Sequence, residues 1–360
     1  MKSILILQES FIKKDQPDGT TLRIEGIKDW FQHRGFKIAA TSHVDTKLLK
    51  NFNLLYLIVS TKKISLAANI LKYLTPKNKL IIDLYNPIFL EKALSRNKLS
   101  NFLRSYREEG TVRKQLARGN HFLVANKNQL KFWFEKFKVL KIKNPPKQFS
   151  VLPTGIQTKK IKKNTTVKFR NRNIIVWFGG MYPWMNPSIL IRGFSNIVRK
   201  YPNLKLRIIG GYNPKSQYLK IFTKNLKLAE KLIAPNNLEI AKWQKDGKIG
   251  RIFEDVLVAV HIPLVTSEDV YSHRIRLLTL VNNAVPVITT GKDIISKTIT
   301  SCKAGYKAKA QVHEIERAII KMTKPEIFQK MSKSALKVQE KFIQDNLNIK
   351  NLLSFLNDKG

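Results

Sequence analysis

The chain has 360 residues, a length that favours two domains of ordinary size. Its hydrophobic fraction of 43% excludes a disordered chain, and no run approaches the roughly 18 apolar residues of a membrane span. Lys plus Arg is 66 against 25 Asp plus Glu, a formal net charge of +41, so the surface must find polyanions: nucleic acid, anionic lipid or a phosphorylated substrate.

The opening MKSILILQES reads as a first strand over 4–7 and not as a signal peptide. A turn at Gly19 leads into a helix over 22–34, which Gly35 ends, and 36–40 is a second strand. This βαβ opening predicts a parallel sheet, but it lacks G-x-G-x-x-G, so a dinucleotide cofactor is not supported. Strands follow at 54–59, 80–82 and 122–125, with helices at 66–74 and 128–137. The last helix puts Leu130, Trp133, Phe134 and Phe137 on one side, either to bury that face in the domain or to dock on a membrane.

Between residues 127 and 172 lie 14 Lys or Arg and one acid, Glu135. The part over 157–172 is polar, basic and without apolar periodicity, which predicts an interdomain linker. A second alternation then runs through strands at 174–178, 204–209, 238–241 and 256–260, with helices at 188–200 and 218–233. The expected organisation is a first domain over 1–156, the linker, a second domain over 173–340 and a C-terminal helix over 341–360. Helical stretches are expected at 315–322 and 328–355. The single cysteine, Cys302, rules out an internal disulfide and points to a reducing compartment.

The stretch SEDVYSHRIRLLTLVNNAVPVITTG, residues 267–291, reads as loop, helix and buried strand in succession. A helix start preceded by Ser272 and flanked by Arg274 and Arg276 is an anion site, because free N–H groups and the positive end of the dipole face what lies before it. The two arginines share a side in an extended segment but not on a helix, so a helix beginning before Arg274 leaves one of them for the anion.

These motifs carry a resemblance. IVWFGGMYPWMNPSILIRGF, LRIIGGYNP and SEDVYSHRIRLLTLVNNAVPVITT resemble the GT-B glycosyltransferases of family four, and more closely a subgroup of bacterial surface-polysaccharide (O-antigen-type) transferases. DGTTLR, DLYNPIFLE and NKNQLKFW agree in the first half, so the resemblance covers nearly the whole chain. It implies an α/β chain of GT-B architecture: two Rossmann-like parallel-sheet domains facing a cleft, with C-terminal helices. It further implies transfer of a sugar from a nucleotide-sugar co-substrate to an acceptor, metal-independent and retaining, with the donor on the second domain and the acceptor on the first. No other cofactor is implied. The departing diphosphate would be stabilised by preorganised N–H groups and arginines.

Two departures accompany it. Thr279 stands where most of family four carries a glutamate on the donor ribose. Gly180 and Met185 stand where those enzymes carry an Arg and a Lys, which shifts the phosphate burden to Arg274 and Arg276.

The candidate site follows. Asp83, Arg274 and Arg276 are the catalytic candidates, Asp83 either orienting or deprotonating the acceptor hydroxyl or stabilising the turn before Pro87. Gly179, Gly180, Ser272, Thr279, Glu268 and His261 are the donor candidates. Glu268 is read either as a partner of a donor hydroxyl or as half of a local salt bridge, and His261 as a ligand contact or a structural histidine. Gly19, Arg23, His43 and Asn86 are the acceptor candidates, with Asp18 beside Gly19; a plain βα turn accounts for the first two almost as well. Trp184 and Trp243 suit a base, a sugar or the core.

The expected partners are a nucleotide-sugar, a polyprenyl-phosphate-linked or saccharide acceptor, and an anionic membrane at the cytoplasmic face. The alternatives are a basic GT-B-fold protein that binds nucleic acid, though without a recognisable binding module, or a non-catalytic scaffold.

Overall fold

A computed structural model of the chain describes residues 2–8, 19–43, 46–60, 62, 65–85, 98–142, 148–154, 169, 172–210, 218–241, 251–264 and 266–358. The expected linker falls almost wholly outside them, as do Asp18, Asn86 and Trp243.

The first half runs β1 (Ser3–Leu7), α1 (Gly19–Gln32), β2 (Lys37–Thr41), α2 (Thr46–Lys50), β3 (Leu54–Ile58), α3 (Leu66–Ile70), β4 (Lys79–Asp83), α4 (Lys98–Arg118), β5 (His121–Val124), α5 (Lys127–Val139) and β6 (Phe149–Val151). Its six strands are ordered β2-β1-β3-β4-β5-β6. The second half runs β7 (Ile174–Phe178), α6 (Pro187–Ile197), β8 (Lys205–Ile209), α7 (Leu219–Leu232), β9 (Leu238–Ala241), β10 (Val256–His261), α8 (Ser267–Tyr271), α9 (Ile275–Asn282), β11 (Val287–Thr289), α10 (Ile294–Ser301) and β12 (Gly305–Lys307). Four helices close the chain: α11 (Val312–Met322), α12 (Pro325–Ala335), α13 (Val338–Asn346) and α14 (Lys350–Asn357).

The second sheet has the order β12-β11-β10-β7-β8-β9, which is the doubly wound Rossmann arrangement read from its far edge. Every pairing in both sheets is parallel. The composition of the central strands explains this. SILIL, LLYLI, IIVWF and VLVAVH are continuous apolar runs, as a sheet covered by helices on both faces requires. Each sheet accordingly has two hydrophobic cores, one per face.

Residues 328–355, expected to be a helical stretch, are divided among three helices, because the chain changes sheets. Val338 and Phe342 of α13 belong to a core of the second sheet, whereas Leu352 of α14 is fully buried in a core of the first. The crossing is fastened by backbone bonds between Val151 and Asn348 at 2.8 and 2.9 Å and by Leu352 N–H donating to Ser150 Oγ at 2.9 Å.

The domains also meet at the carboxyl ends of their strands. Asn128 Nδ2 donates to the Val270 carbonyl at 3.0 Å, Phe132 packs on Tyr271 with ring centres 5.1 Å apart, and Tyr85 meets His273 edge-on at 6.0 Å. The helix expected to carry an aromatic stripe, α5, buries Phe132, Trp133 and Phe137.

Candidate functional site

The site starts at the end of β7. Gly179 has a φ of +100°, a left-handed conformation that disfavours any side chain. A Cβ at Gly179 would stand 3.3 Å from Arg276 Nη1, and one at Gly180 would stand 2.5 Å from the Tyr182 ring. The two glycines therefore let a guanidinium and a phenol close on the backbone. Arg276 lies in the first turn of α9; its Nη1 donates to the Gly180 carbonyl at 3.3 Å and its Nη2 to Met185 Sδ at 3.5 Å. No carboxylate pairs with Arg276 among the described residues. Burial, then the neighbouring Arg274, pulls its pKa down to about 10, which still leaves it charged at neutral pH.

Arg274 differs. It stands at the N-cap of α9, and its Nη2 donates to Glu268 Oε2 at 2.6 Å with Asp269 Oδ1 at 3.9 Å. The other Glu268 oxygen accepts from Ser272 Oγ. Glu268 and Ser272 thus hold Arg274, and the carboxylate is enclosed at 5% exposure. Asp269 Oδ2 accepts the Lys292 N–H at 2.7 Å. Its pKa is raised to about 6, chiefly by burial and then by Asp293. Asp293 itself caps α10 through the N–H groups of Ile295 and Ser296.

His261 ends β10. Burial first, then the charges of Arg276, Arg274 and Lys307, holds it well below the usual histidine range, so it is neutral. Among the described residues its Nε2 is buried without a hydrogen-bond partner, as are Arg274 Nε, Asp269 Oδ1 and Thr290 Oγ1. Four unsatisfied buried polar atoms around one end of a sheet mark a place where polar partners belong. Thr279 lies further along α9, with its hydroxyl directed to the Ile275 carbonyl at 3.4 Å. Among the described residues no group of three His, Cys, Asp or Glu side chains could hold a metal ion.

A second polar cluster lies in the first domain. Asp83, at the end of β4, is fully buried, and its Oδ2 accepts from Arg23 Nε at 2.7 Å and from the Tyr56 hydroxyl at 2.6 Å. Arg23 also donates to the Leu152 carbonyl and to Thr154 Oγ1. The structure thus places Asp83 in an enclosed ion pair, not at an open cleft edge. Its charge compensates a guanidinium that is itself 1% exposed. Gly19 begins α1 with the Tyr85 hydroxyl against it, 2.8 Å from where a Cβ would lie. His43 is exposed in the bend after β2, an edge strand, apart from both clusters. Trp184 is buried and stacked on Tyr182 at 4.9 Å.

The structure therefore brings together Gly179, Gly180, His261, Glu268, Ser272, Arg274 and Arg276, and separately Gly19, Arg23 and Asp83. Between the two clusters stands His273, which the sequence reading did not single out. Its ring packs on Tyr85 and, at 5.5 Å, on Phe342. Burial and then Arg23 lower its pKa to about 3, with the Thr154 backbone opposing the shift only weakly. The available signal was alternation: in a non-helical S-H-R segment, neighbours of Arg274 point the other way. Tyr182, Asp269, Asp293 and Lys307 were missed as well, the last donating to the Thr290 and Gly291 carbonyls.

No protein-family model matches the chain, and no curated protein matches its sequence. Solved structures do match in fold. WaaG, described as a glycosyltransferase involved in lipopolysaccharide biosynthesis, aligns over 99% of this chain and 100% of its own at 13% identity, with a TM-score of 0.66. Anabaena HepE in complex with UDP and glucose aligns over 99% and 98% at 11% identity, with a TM-score of 0.63. A point mutant of S. aureus TarM, in complex with fondaparinux, α-GlcNAc-glycerol and UDP, aligns over 84% of this chain at 13% identity and a TM-score of 0.60. This chain spans 55% of that one. At such identities the likeness shows the fold: two parallel-sheet domains in the GT-B arrangement.

Proposed function

We propose that the chain is a glycosyltransferase that moves a sugar from a nucleotide-diphosphate sugar to an acceptor, holding the diphosphate at the end of β7 and the start of α9. The observation that carries this reading is the state of Arg276. Arg276 is a half-buried cation whose hydrogen bonds go to a carbonyl and a thioether and which no carboxylate pairs among the described residues, so an anionic ligand can complete it. It faces a glycine pair beside the start of an eight-residue helix, whose dipole places positive potential there. As the sugar leaves, charge accumulates on the diphosphate. Arg276 and these dipoles are already oriented toward it, so little reorganisation is needed in the transition state. Arg274, tied to Glu268, acts by fixing the segment that presents Arg276.

The UDP in the HepE and TarM complexes and the glycosyltransferase description of WaaG support a nucleotide-sugar donor. We further propose metal-independent, retaining chemistry and a lipid-linked or saccharide acceptor on the first domain, in the synthesis of a cell-surface glycoconjugate. No helix among the described residues is long and apolar enough to cross a membrane. The charge of +41 supports peripheral docking on anionic lipid at the cytoplasmic face.

The direct test is hydrolysis or transfer with a panel of UDP-, GDP-, ADP- and dTDP-sugars. Turnover of at least one is expected, and neither turnover nor binding with any of them overturns the reading. The same charge favours one second reading, a basic GT-B-fold protein that binds nucleic acid. Steeply salt-dependent binding to DNA or RNA with no nucleotide-sugar affinity would select it.

A further inference from the structure

Arg276 leaves a ligand anion incompletely wrapped, since one guanidinium and a helix start approach it from the α9 side alone. The loop after β7 supplies a group on the other side. The Tyr182 phenol tip covers Gly180, with its hydroxyl 2.7 Å from where a Cβ would lie, as Arg276 Nη1 covers Gly179. The two side chains thus sit over neighbouring glycines, and Tyr182 lies near enough to Arg276 to interact with its charge.

Tyr182 is also rigidly mounted. Its ring stacks on Trp184 at 4.9 Å and 11°, and Tyr218 meets both rings edge-on at 5.6 and 5.7 Å. The loop is fixed to the end of β10 by Asn186 N–H donating to the Ile262 carbonyl at 2.8 Å and by Leu264 N–H donating to the Trp184 carbonyl at 2.9 Å. The phenol is half-buried, and among the described residues its hydroxyl takes part in no hydrogen bond. A fixed O–H donor beside an unpaired cation is an arrangement suited to an anion's oxygen.

We propose that Tyr182 is a binding residue of the anion site, its hydroxyl donating to an oxygen of the diphosphate that Arg276 neutralises. The inference rests on the donor-site reading above, and it adds a specific contact that the sequence motifs did not single out. The ring serves as a mount, and the hydroxyl makes the contact.

The test is calorimetric binding of UDP, GDP and ADP and of the matching nucleosides to the wild type, Tyr182→Phe, Arg276→Ala and the double variant. Tyr182→Phe keeps the stacked ring and removes one oxygen, so the fold is retained. It is expected to lower the preference for diphosphate over nucleoside about tenfold, the scale of a hydrogen bond to a charged group, and to leave nucleoside affinity unchanged. The double variant is expected to lose less than the sum of the single losses, since both groups grip one ligand. A preference unchanged in Tyr182→Phe but reduced in Arg276→Ala overturns this inference and leaves the donor site standing. A wild type with no preference for any diphosphate overturns both.

Discussion

Arg274 and Arg276 stand two residues apart and have opposite electrostatic surroundings: Arg274 donates to Glu268 at 2.6 Å, while Arg276 has a carbonyl and a thioether as its partners. The helix begins between them, at Ile275, and this sends them to different neighbours. The sequence reading left open whether one or both of them meet the anion. Removing each should fail differently. Arg274→Ala leaves Glu268 buried without its partner and is expected to cost about 3–5 kcal/mol of stability. Arg276→Ala removes a half-buried charge that no carboxylate pairs among the described residues, and should leave stability level or higher. Urea unfolding of the two variants checks this, and equal losses in both would show that the arginines are not divided as described.

The Arg23–Asp83 pair predicts a stability defect first. Asp83→Asn keeps an acceptor for the Tyr56 hydroxyl but strips the charge from beside a guanidinium that is 1% exposed. The expected loss is about 3–5 kcal/mol. Substituting both partners together, Arg23→Met with Asp83→Leu, should recover much of it, because an apolar pair leaves no buried charge behind. Recovery of folding without recovery of transfer would return Asp83 or Arg23 to the chemistry.

The last helix should behave as part of the first domain. Leu352 is fully buried against the first sheet. Leu352→Ala is expected to cost about 2–5 kcal/mol by transfer and cavity terms. Hydrogen exchange should accelerate in β1 and α1 before it does in β7 and β10. Uniform acceleration across both sheets would contradict the crossing.

Acid should weaken the fold through its buried histidines. Burial lowers the His121 pKa to about 4, so the folded state refuses a proton that the unfolded chain accepts near pH 6.5. Stability is therefore unaffected above pH 6.5 and falls as pH drops from there toward 4, by about 2 kcal/mol at pH 5 for this residue. His273, at about 3, acts in the same direction, while Asp269, raised to about 6, opposes it by favouring the folded state as pH falls through 6. Thermal unfolding of His121→Phe, whose ring can retain the stacking on Phe355 seen at 5.0 Å, should show a shallower decline between pH 7 and 5. An unchanged slope would mean that His121 is not the group responsible.

Much of the fold was legible because parallel strands buried on both faces are written as apolar runs. IIVWF and VLVAVH permit little else, and the glycines after β7 announced a close approach. α4 escaped because KLSNFLRSYREEGTVRKQLAR is strongly polar on average and has Gly110 in its middle, so its few apolar residues do not announce a packed helix. The crossing of α14 escaped because its partner, β6, lies some 200 positions away in sequence. Within the candidate site, residue types were readable but pairings were not. Glu268 could equally have met a ligand hydroxyl or an arginine. The turn of α8 into α9 brings it to Arg274, and no local pattern records that turn. Asp83 sat at a strand end, the expected place for a ligand contact, and burial of Arg23 beneath the same sheet end claimed it.

The measurement closest to the central claim is titration calorimetry of the wild type and Arg276→Ala with UDP, GDP and ADP, each against its nucleoside. At least one diphosphate is expected to bind the wild type about 10- to 100-fold more tightly than its nucleoside, the range of a charge-assisted contact. Arg276→Ala is expected to erase that margin while nucleoside affinity stays level. A margin that survives in Arg276→Ala, or a wild type that binds no diphosphate better than its nucleoside, would contradict the assignment of this site.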